Sequence, residues 1–149
     1  MKHTFRLFLL IAAVASMIYT GCEPVDEEPT GDDPRDPFIG VWQFAESSSF
    51  KSTDGQSYIV TISKDPANSI QVIIENFGNP GSESISVTGI VTSNQIIVSS
   101  QSLSNGWVVA GSGEVTNVNK TTMAWTYSII AGGDKDFYSA TATKQSPGK

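Results

Sequence analysis

The chain of 149 residues has a length typical of a single domain, and its formal net charge is −6. A single cysteine, Cys22, excludes an intrachain disulfide, and the only histidine, His3, lies in the leader. The mature chain therefore lacks the residues for a Ser-His or Cys-His nucleophile pair and for a zinc site of His and Cys. Seven acids and one arginine lie within residues 23–37, whereas residues 38–149 hold eight acids and six lysines. This nearly neutral part has no basic stripe for nucleic acid.

Residues 1–21 have the pattern of a secretory signal peptide. Lys2 and Arg6 precede an apolar run of twelve residues, 7–18, which is too short to span a bilayer as a stable helix. The run leads into Tyr19-Thr20-Gly21-Cys22, and small residues directly before a cysteine resemble the bacterial lipoprotein box. The resemblance implies that the Cys22 thiol carries diacylglycerol, that the leader is cut before it, and that the new amino group is acylated, for example with palmitate. Lipidated Cys22 would then anchor the protein in a membrane. The alternative is an ordinary signal peptide with an incidental cysteine.

Residues 22–37 are predicted to form an acidic, proline-rich tether. Four prolines remove backbone donors and seven acids repel one another, which favours an extended, disordered segment. The triplet Asp26-Glu27-Glu28 resembles the acidic export signal of some Gram-negative lipoproteins. It implies an outer-membrane lipid-anchored protein that faces the periplasm or the cell surface. The alternative is a solvated spacer with no sorting role.

Residues 38–149 are predicted to form one all-β domain, because apolar and polar residues alternate with the period of a strand. Turn signals such as Asn105-Gly106 and the segment 131–134 separate the runs. The pattern indicates about eight short antiparallel strands, arranged as an up-and-down barrel or, alternatively, a β-sandwich. The predicted strands are 41–45, 57–63, 70–77, 85–91, 95–100, 107–115, 121–130 and 137–144.

The segment Gly40-Val41-Trp42 opens the first predicted strand. It resembles the Gly-X-Trp signature of lipocalins and their calycin relatives, and the chain as a whole is similar to small lipocalin-like lipoproteins of Gram-negative bacteria. The resemblance implies that Trp42 lies across the closed end of the barrel, under a basic side chain from a late strand. Lys144 is the candidate for that base because it closes the last predicted strand. Gly40, Trp42 and Lys144 are thus predicted to form a structural end-cap.

We expect a monomer that binds a small apolar or amphipathic ligand and uses no cofactor. Trp107, Trp125 and Tyr127 are candidate ligand contacts if the interior is open, and ordinary core residues if it is filled. Eight-stranded barrels occur in both forms. A second hypothesis is a surface module that binds a protein or a glycan through loops or an outer face.

The carboxylates of the domain do not indicate an enzyme. Two of them could meet across a barrel mouth as a glycosidase pair, but their spacing does not require it, and we expect no catalytic residues. Asp134 and Asp136 flank a turn and could contribute to a calcium site, which needs six to eight oxygen ligands. Solvated turn positions explain both residues, and we expect no bound metal.

Overall fold

The computed structural model describes residues 32–48, 56–81 and 85–146. These residues form a closed barrel in which each strand pairs antiparallel with the next and the last pairs with the first. The prediction of an all-β, up-and-down barrel is confirmed, and the alternative sandwich is wrong. The strands are β1 (Gly40–Ser48), β2 (Ser57–Lys64), β3 (Gln71–Glu75), β4 (Ser86–Thr92), β5 (Gln95–Ser102), β6 (Val108–Val115), β7 (Thr122–Ala131) and β8 (Asp134–Lys144).

Alternation along the strands decides which side chains fill the barrel. On β2, Tyr58, Val60 and Ile62 are buried while the residues between them are more exposed. On β7, Met123 and Trp125 begin the buried row in the same way. The period-two pattern of the sequence therefore corresponds to one face directed at the core and one at solvent.

The hairpin between β7 and β8 is tighter than the sequence analysis predicted. Gly132 and Gly133 both have positive φ, 63° and 97°, as a two-residue hairpin turn of the primed type requires. Because two glycines suffice for the turn, β8 begins at Asp134, three residues before the predicted start.

The connection after β3 turns the chain into the barrel. The predicted strand runs to residue 77, but β3 ends at Glu75 because Asn76 has a φ of 62°. The Asn76 side-chain amide donates a hydrogen bond of 2.7 Å to the carbonyl of Ile59, which fixes this conformation. Phe77 then points inward and is 1% exposed, although it belongs to a loop.

Aromatic rings pack at the centre of the barrel. The Trp125 ring lies 5.6 Å from Phe44 and 5.3 Å from Phe77 between centroids. Opposite Trp125 in the β6–β7 pairing is Gly113, and a Cβ there would lie 2.1 Å from the indole Cε2. The missing side chain of Gly113 therefore makes room for Trp125. In the described residues the centre of the barrel is a packed core rather than an open cavity.

The segment just before β1 is folded against the barrel. Arg35 is 9% exposed, and its Nη1 donates to the carbonyls of Asp65 at 2.9 Å, Asn68 at 2.8 Å and Gln71 at 3.3 Å in the β2–β3 turn. Its Nη2 pairs with the Asp33 carboxylate at 2.8 Å. The prediction of an extended tether therefore does not hold for residues 32–37, since one arginine satisfies three turn carbonyls. The rest of the predicted tether, with Cys22 and the leader, lies outside the described residues.

Candidate functional site at the barrel mouth

The two ends of the barrel differ in their chemistry. At one end, here called the closed end, residues 32–38 meet the β2–β3 turn and the end of β8. The other end, here called the mouth, is where β1, β3, β5 and β7 end and β2, β4, β6 and β8 begin.

At the closed end the structure brings together the three residues of the predicted end-cap. Trp42 is fully buried, and its indole Nε1 donates a 2.7 Å hydrogen bond to the carbonyl of Phe38. Lys144 is the register partner of Trp42, and its Nζ lies 5.3 Å from the centroid of the Trp42 ring. That ammonium also donates to the carbonyl of Pro37 at 3.2 Å, and burial lowers the pKa of Lys144.

Gly40 allows the close approach of the lysine. Its φ of 133° is rarely adopted by residues with a side chain, and a Cβ there would lie 3.2 Å from Cε of Lys144. These contacts tie the segment before β1 to the last strand, which is a structural function.

The three aromatic residues predicted as ligand contacts occupy different environments. Trp125 is 1% exposed in the aromatic core, and its Nε1 has no hydrogen-bond partner among the described residues. Tyr127 is 3% exposed and stands between that core and the mouth. Trp107 is half-buried directly before β6, where it packs against the core. Trp125 thus has the surroundings of a core residue, whereas Tyr127 and Trp107 lie near the mouth.

A cluster of tyrosines and carboxylates, here called the mouth cluster, lies above the aromatic core. It consists of Glu46, Tyr58, Tyr127, Asp136 and Tyr138. The Tyr58 hydroxyl is 3.2 Å from Oε1 of Glu46 and 2.9 Å from the hydroxyl of Tyr127. The rings of Tyr127 and Tyr138 stack, with centroids 5.3 Å apart and planes 16° apart.

The electrostatics of the mouth cluster define the direction of its hydrogen bonds. Burial, followed by the nearby Glu46 carboxylate, raises the pKa of Tyr58, and burial followed by Asp136 and Glu46 raises the pKa of Tyr138. Both phenols are therefore protonated at neutral pH. Because an ionised carboxylate only accepts, Tyr58 donates to Glu46 and Tyr127 donates to Tyr58.

Glu46 itself is half-buried. Burial raises the pKa of this carboxyl, and the hydrogen bond from Tyr58 opposes that rise. Among the described residues, its second oxygen accepts no hydrogen bond. The cluster can thus present a carboxylate oxygen beside aromatic surface, a combination suited to an amphipathic ligand with a hydrogen-bond donor or a positive charge.

Glu46, Tyr58 and Tyr138 were not among the predicted site residues, although the sequence contains a signal for Glu46. Glu46 follows Trp42 and Phe44 at intervals of two, so the alternation that buries those aromatics also directs Glu46 inward. A carboxylate at a core-facing position is costly unless it has a partner or a function.

Asp134 and Asp136 are exposed at the start of β8. The described part of the chain contains no group of three or more side chains of the metal-binding types. Nor do the described residues include a helix with the length and apolar character needed to cross a bilayer.

Comparison with known proteins identifies the fold. No family model and no curated protein matches the chain. Among solved structures, a redesigned β-barrel matches with a TM-score of 0.52 and 12% identity over 76% of this chain and 96% of its own. The protein EF1p2_mFAP2b, solved bound to DFHBI, matches with a TM-score of 0.51 and 12% identity over 76% of this chain and 100% of its own. A de novo designed fluorescence-activating β-barrel has a TM-score of 0.47 and 19% identity over 77% of this chain and 100% of its own. At such identities the first two matches support the closed barrel fold alone, the architecture that the resemblance to calycins implies.

Proposed function

We propose that the protein is a non-enzymatic binding protein that holds a small amphipathic ligand at the mouth of a calycin-like barrel. The observation that carries the proposal is Glu46, an inward-facing, half-buried carboxylate that accepts a hydrogen bond from Tyr58 beside stacked tyrosines. A purely structural core would gain more from an apolar residue at this position, because burial of a carboxylate is unfavourable.

The filled centre limits how deep the ligand can enter. Phe77 and Trp125 occupy the middle of the barrel, and Tyr127 is covered by the stacked ring of Tyr138, so the ligand would rest on Tyr138. Its apolar part would contact Tyr138 and Trp107, and its donor or cationic group would pair with Glu46. A barrel of the same fold has been solved with DFHBI bound, which supports the capacity of this architecture for a small ligand.

We further propose that Cys22 carries diacylglycerol and an amide-linked acyl chain such as palmitate. The support is the leader and the sequence Thr20-Gly21-Cys22. Two or more acyl chains give stable anchoring where one gives marginal binding. The barrel would then be held at the outer membrane and face the periplasm or the cell surface.

A charge series of probes tests the ligand site. Phenethylamine, 2-phenylethanol and 3-phenylpropionate share an aromatic body and differ in charge. We expect the amine to bind most tightly and the carboxylate least, as followed by amide chemical shifts of the purified full-length protein. Binding of the amine should weaken at least about tenfold in Glu46→Gln. Glu75→Gln, which removes the same charge from an exposed position on β3, serves as the matched control. Equal affinity for the three probes, or an amine affinity unchanged in Glu46→Gln, would contradict the proposal.

A further inference from the structure

The outer surface of β6, β7 and β8 contains a groove of about 590 Å³. We call it the outer groove. It is lined by outward-facing side chains of these three strands, namely Ala110, Ser112, Thr126, Ser128, Phe137 and Ser139. The volume lies within the range of ~300–1,000 Å³ that is usual for small-ligand sites.

The strand register explains the depth of the outer groove. It aligns Ala110, Ser128 and Phe137 in one row across the three strands. The next row is Ser112, Thr126 and Ser139. Small side chains leave the floor low, whereas Phe137 rises at one side and is 52% exposed. The result is an aromatic wall beside a floor of hydroxyl groups.

Ser128 lies deep in the outer groove. It is only 9% exposed, although it is on the outer face of the barrel. Among the described residues the buried polar side-chain atom without a partner is Nε1 of Trp125, so the Ser128 hydroxyl is not an unsatisfied buried group. A ligand that displaces water from this hydroxyl must offer it a hydrogen bond in return. Ser128 is thus an available donor and acceptor directed into the groove.

The chemistry of the lining restricts the occupant. None of the six side chains carries a charge. The Lys135 ammonium lies over one face of the Phe137 ring, 5.0 Å from its centroid, and leaves the other face for a ligand. A charged ligand would find no counter-charge on the floor, and an apolar one would leave Ser128 unsatisfied. A peptide could not add as a strand, because a closed barrel has no free edge.

We propose that the outer groove binds a neutral carbohydrate. One sugar ring would lay its C–H face on Phe137, and its hydroxyls would exchange hydrogen bonds with Ser128 and with the row of Ser112, Thr126 and Ser139. This site is separate from the mouth cluster, since its side chains lie on the opposite face of the strands. It does not depend on the ligand proposed for the mouth.

Titration of the full-length protein with neutral oligosaccharides tests this site. The probes are maltohexaose, cellohexaose and chitotetraose, followed by amide chemical shifts. We expect at least one probe to bind and to shift the amides of β6–β8. Phe137→Ala and Phe137→Leu should each weaken it about tenfold or more, whereas Phe137→Tyr should retain it. The leucine variant keeps apolar bulk without a ring, so it isolates the contribution of the aromatic face.

Ser128→Ala should weaken the same probe by about two- to tenfold, as expected for one neutral hydrogen bond. Thr141→Ala, on the outer face of β8 but outside the groove, should leave affinity unchanged. Thermal unfolding of each variant checks that it is folded. Glu46→Gln should bind the oligosaccharide normally, which separates this site from the mouth. Absence of binding by all three probes up to about 10 mM would overturn the inference. Binding that is indifferent to Phe137→Ala, or that shifts the amides of the mouth instead, would also overturn it.

Discussion

Lys144 covers the indole of Trp42 at the closed end of the barrel, with its ammonium nitrogen 5.3 Å from the ring centroid. Each side chain also donates a hydrogen bond to a carbonyl of the segment before β1, Trp42 to Phe38 and Lys144 to Pro37. The pair therefore joins the first strand, the last strand and the N-terminal segment.

Replacement of these two residues should be non-additive. Trp42→Phe removes the donor to the Phe38 carbonyl and should cost about 1–3 kcal/mol, because a buried carbonyl loses its partner. Lys144→Met should cost about 0.5–2 kcal/mol through loss of the cation–π contact. Urea unfolding of both single variants and the double variant gives the coupling energy. Lys120→Met, at an exposed turn, is the control, and strict additivity would show that the two side chains do not interact in solution.

The N-terminal segment should be required for full stability. A chain that starts at Asp32 retains Arg35 and its three carbonyl partners, whereas one that starts at Asp36 loses them. We expect the shorter chain to unfold at a lower temperature. In the longer chain, Arg35→Lys should show part of the same loss, because an ammonium cannot reproduce the fork of the guanidinium. Equal melting temperatures for the two chains would contradict a stabilising role.

Asp33 should make this segment sensitive to acid. Hydrogen bonds from Arg35 and then Lys64 hold the pKa of Asp33 well below its ordinary value of 3.8. A carboxyl with a lowered folded-state pKa contributes stability above its unfolded-state pKa, and that contribution is lost as pH falls below it. Asp33→Asn should therefore lower stability at neutral pH and flatten its fall in acid. Unfolding measured from about pH 7 to pH 2 checks this, with Asp32→Asn as the control.

Glu46 should show the opposite dependence on pH. Burial raises the pKa of this carboxyl above its ordinary value of 4.5, so the folded state holds the proton more tightly than the unfolded state. Stability should therefore fall as pH rises from the unfolded-state value through the folded-state value, and remain lower above both. Glu46→Gln should stabilise the barrel at about pH 7 and lose that advantage in acid, as seen by urea unfolding. A destabilised variant at neutral pH would contradict this account. If Glu46→Gln is more stable and binds the ligand more weakly, it behaves as substitutions at functional positions typically do.

Cys22 should carry the lipid. In a bacterial host supplied with labelled palmitate, the full-length chain should become labelled and fractionate with membranes. Cys22→Ala should be unlabelled and leave the membrane fraction, whereas Tyr19→Leu, which changes the leader but keeps Thr20-Gly21-Cys22, should retain both properties. Label that persists in Cys22→Ala would refute acylation at this residue.

The strands were predictable because alternation is a local signal. The predicted strands 57–63 and 121–130 lie within one residue of the bounds of β2 and β7, since each is an unbroken row of period two. The pairing of Gly40-Val41-Trp42 with Lys144 came instead from resemblance to lipocalins, because nothing local relates residues about a hundred positions apart.

The remaining features depend on tertiary contacts. Arg35 reads as part of a charged spacer, and its bonds to the carbonyls of Asp65 and Asn68 form only when β2 and β3 are folded. The inward position of Glu46 followed from the alternation, yet its bond to Tyr58 required the closed register of β1 and β2. The outer groove was not predictable either. Small residues such as Ser128 look like ordinary solvent-facing positions in the sequence, and the groove forms only where the register places them side by side on three strands.

Phe77 belongs to a loop and still fills part of the barrel interior. In small barrels the inward side chains of the strands usually fill the interior. Here a residue of the β3–β4 loop contributes part of the filling, and its ring contacts Trp125 and Tyr127 without belonging to any strand pair. Truncation of this one side chain would open space between the aromatic core and the mouth while every ladder hydrogen bond stays in place. The depth at which such a barrel accepts a guest can therefore evolve, or be engineered, through a loop.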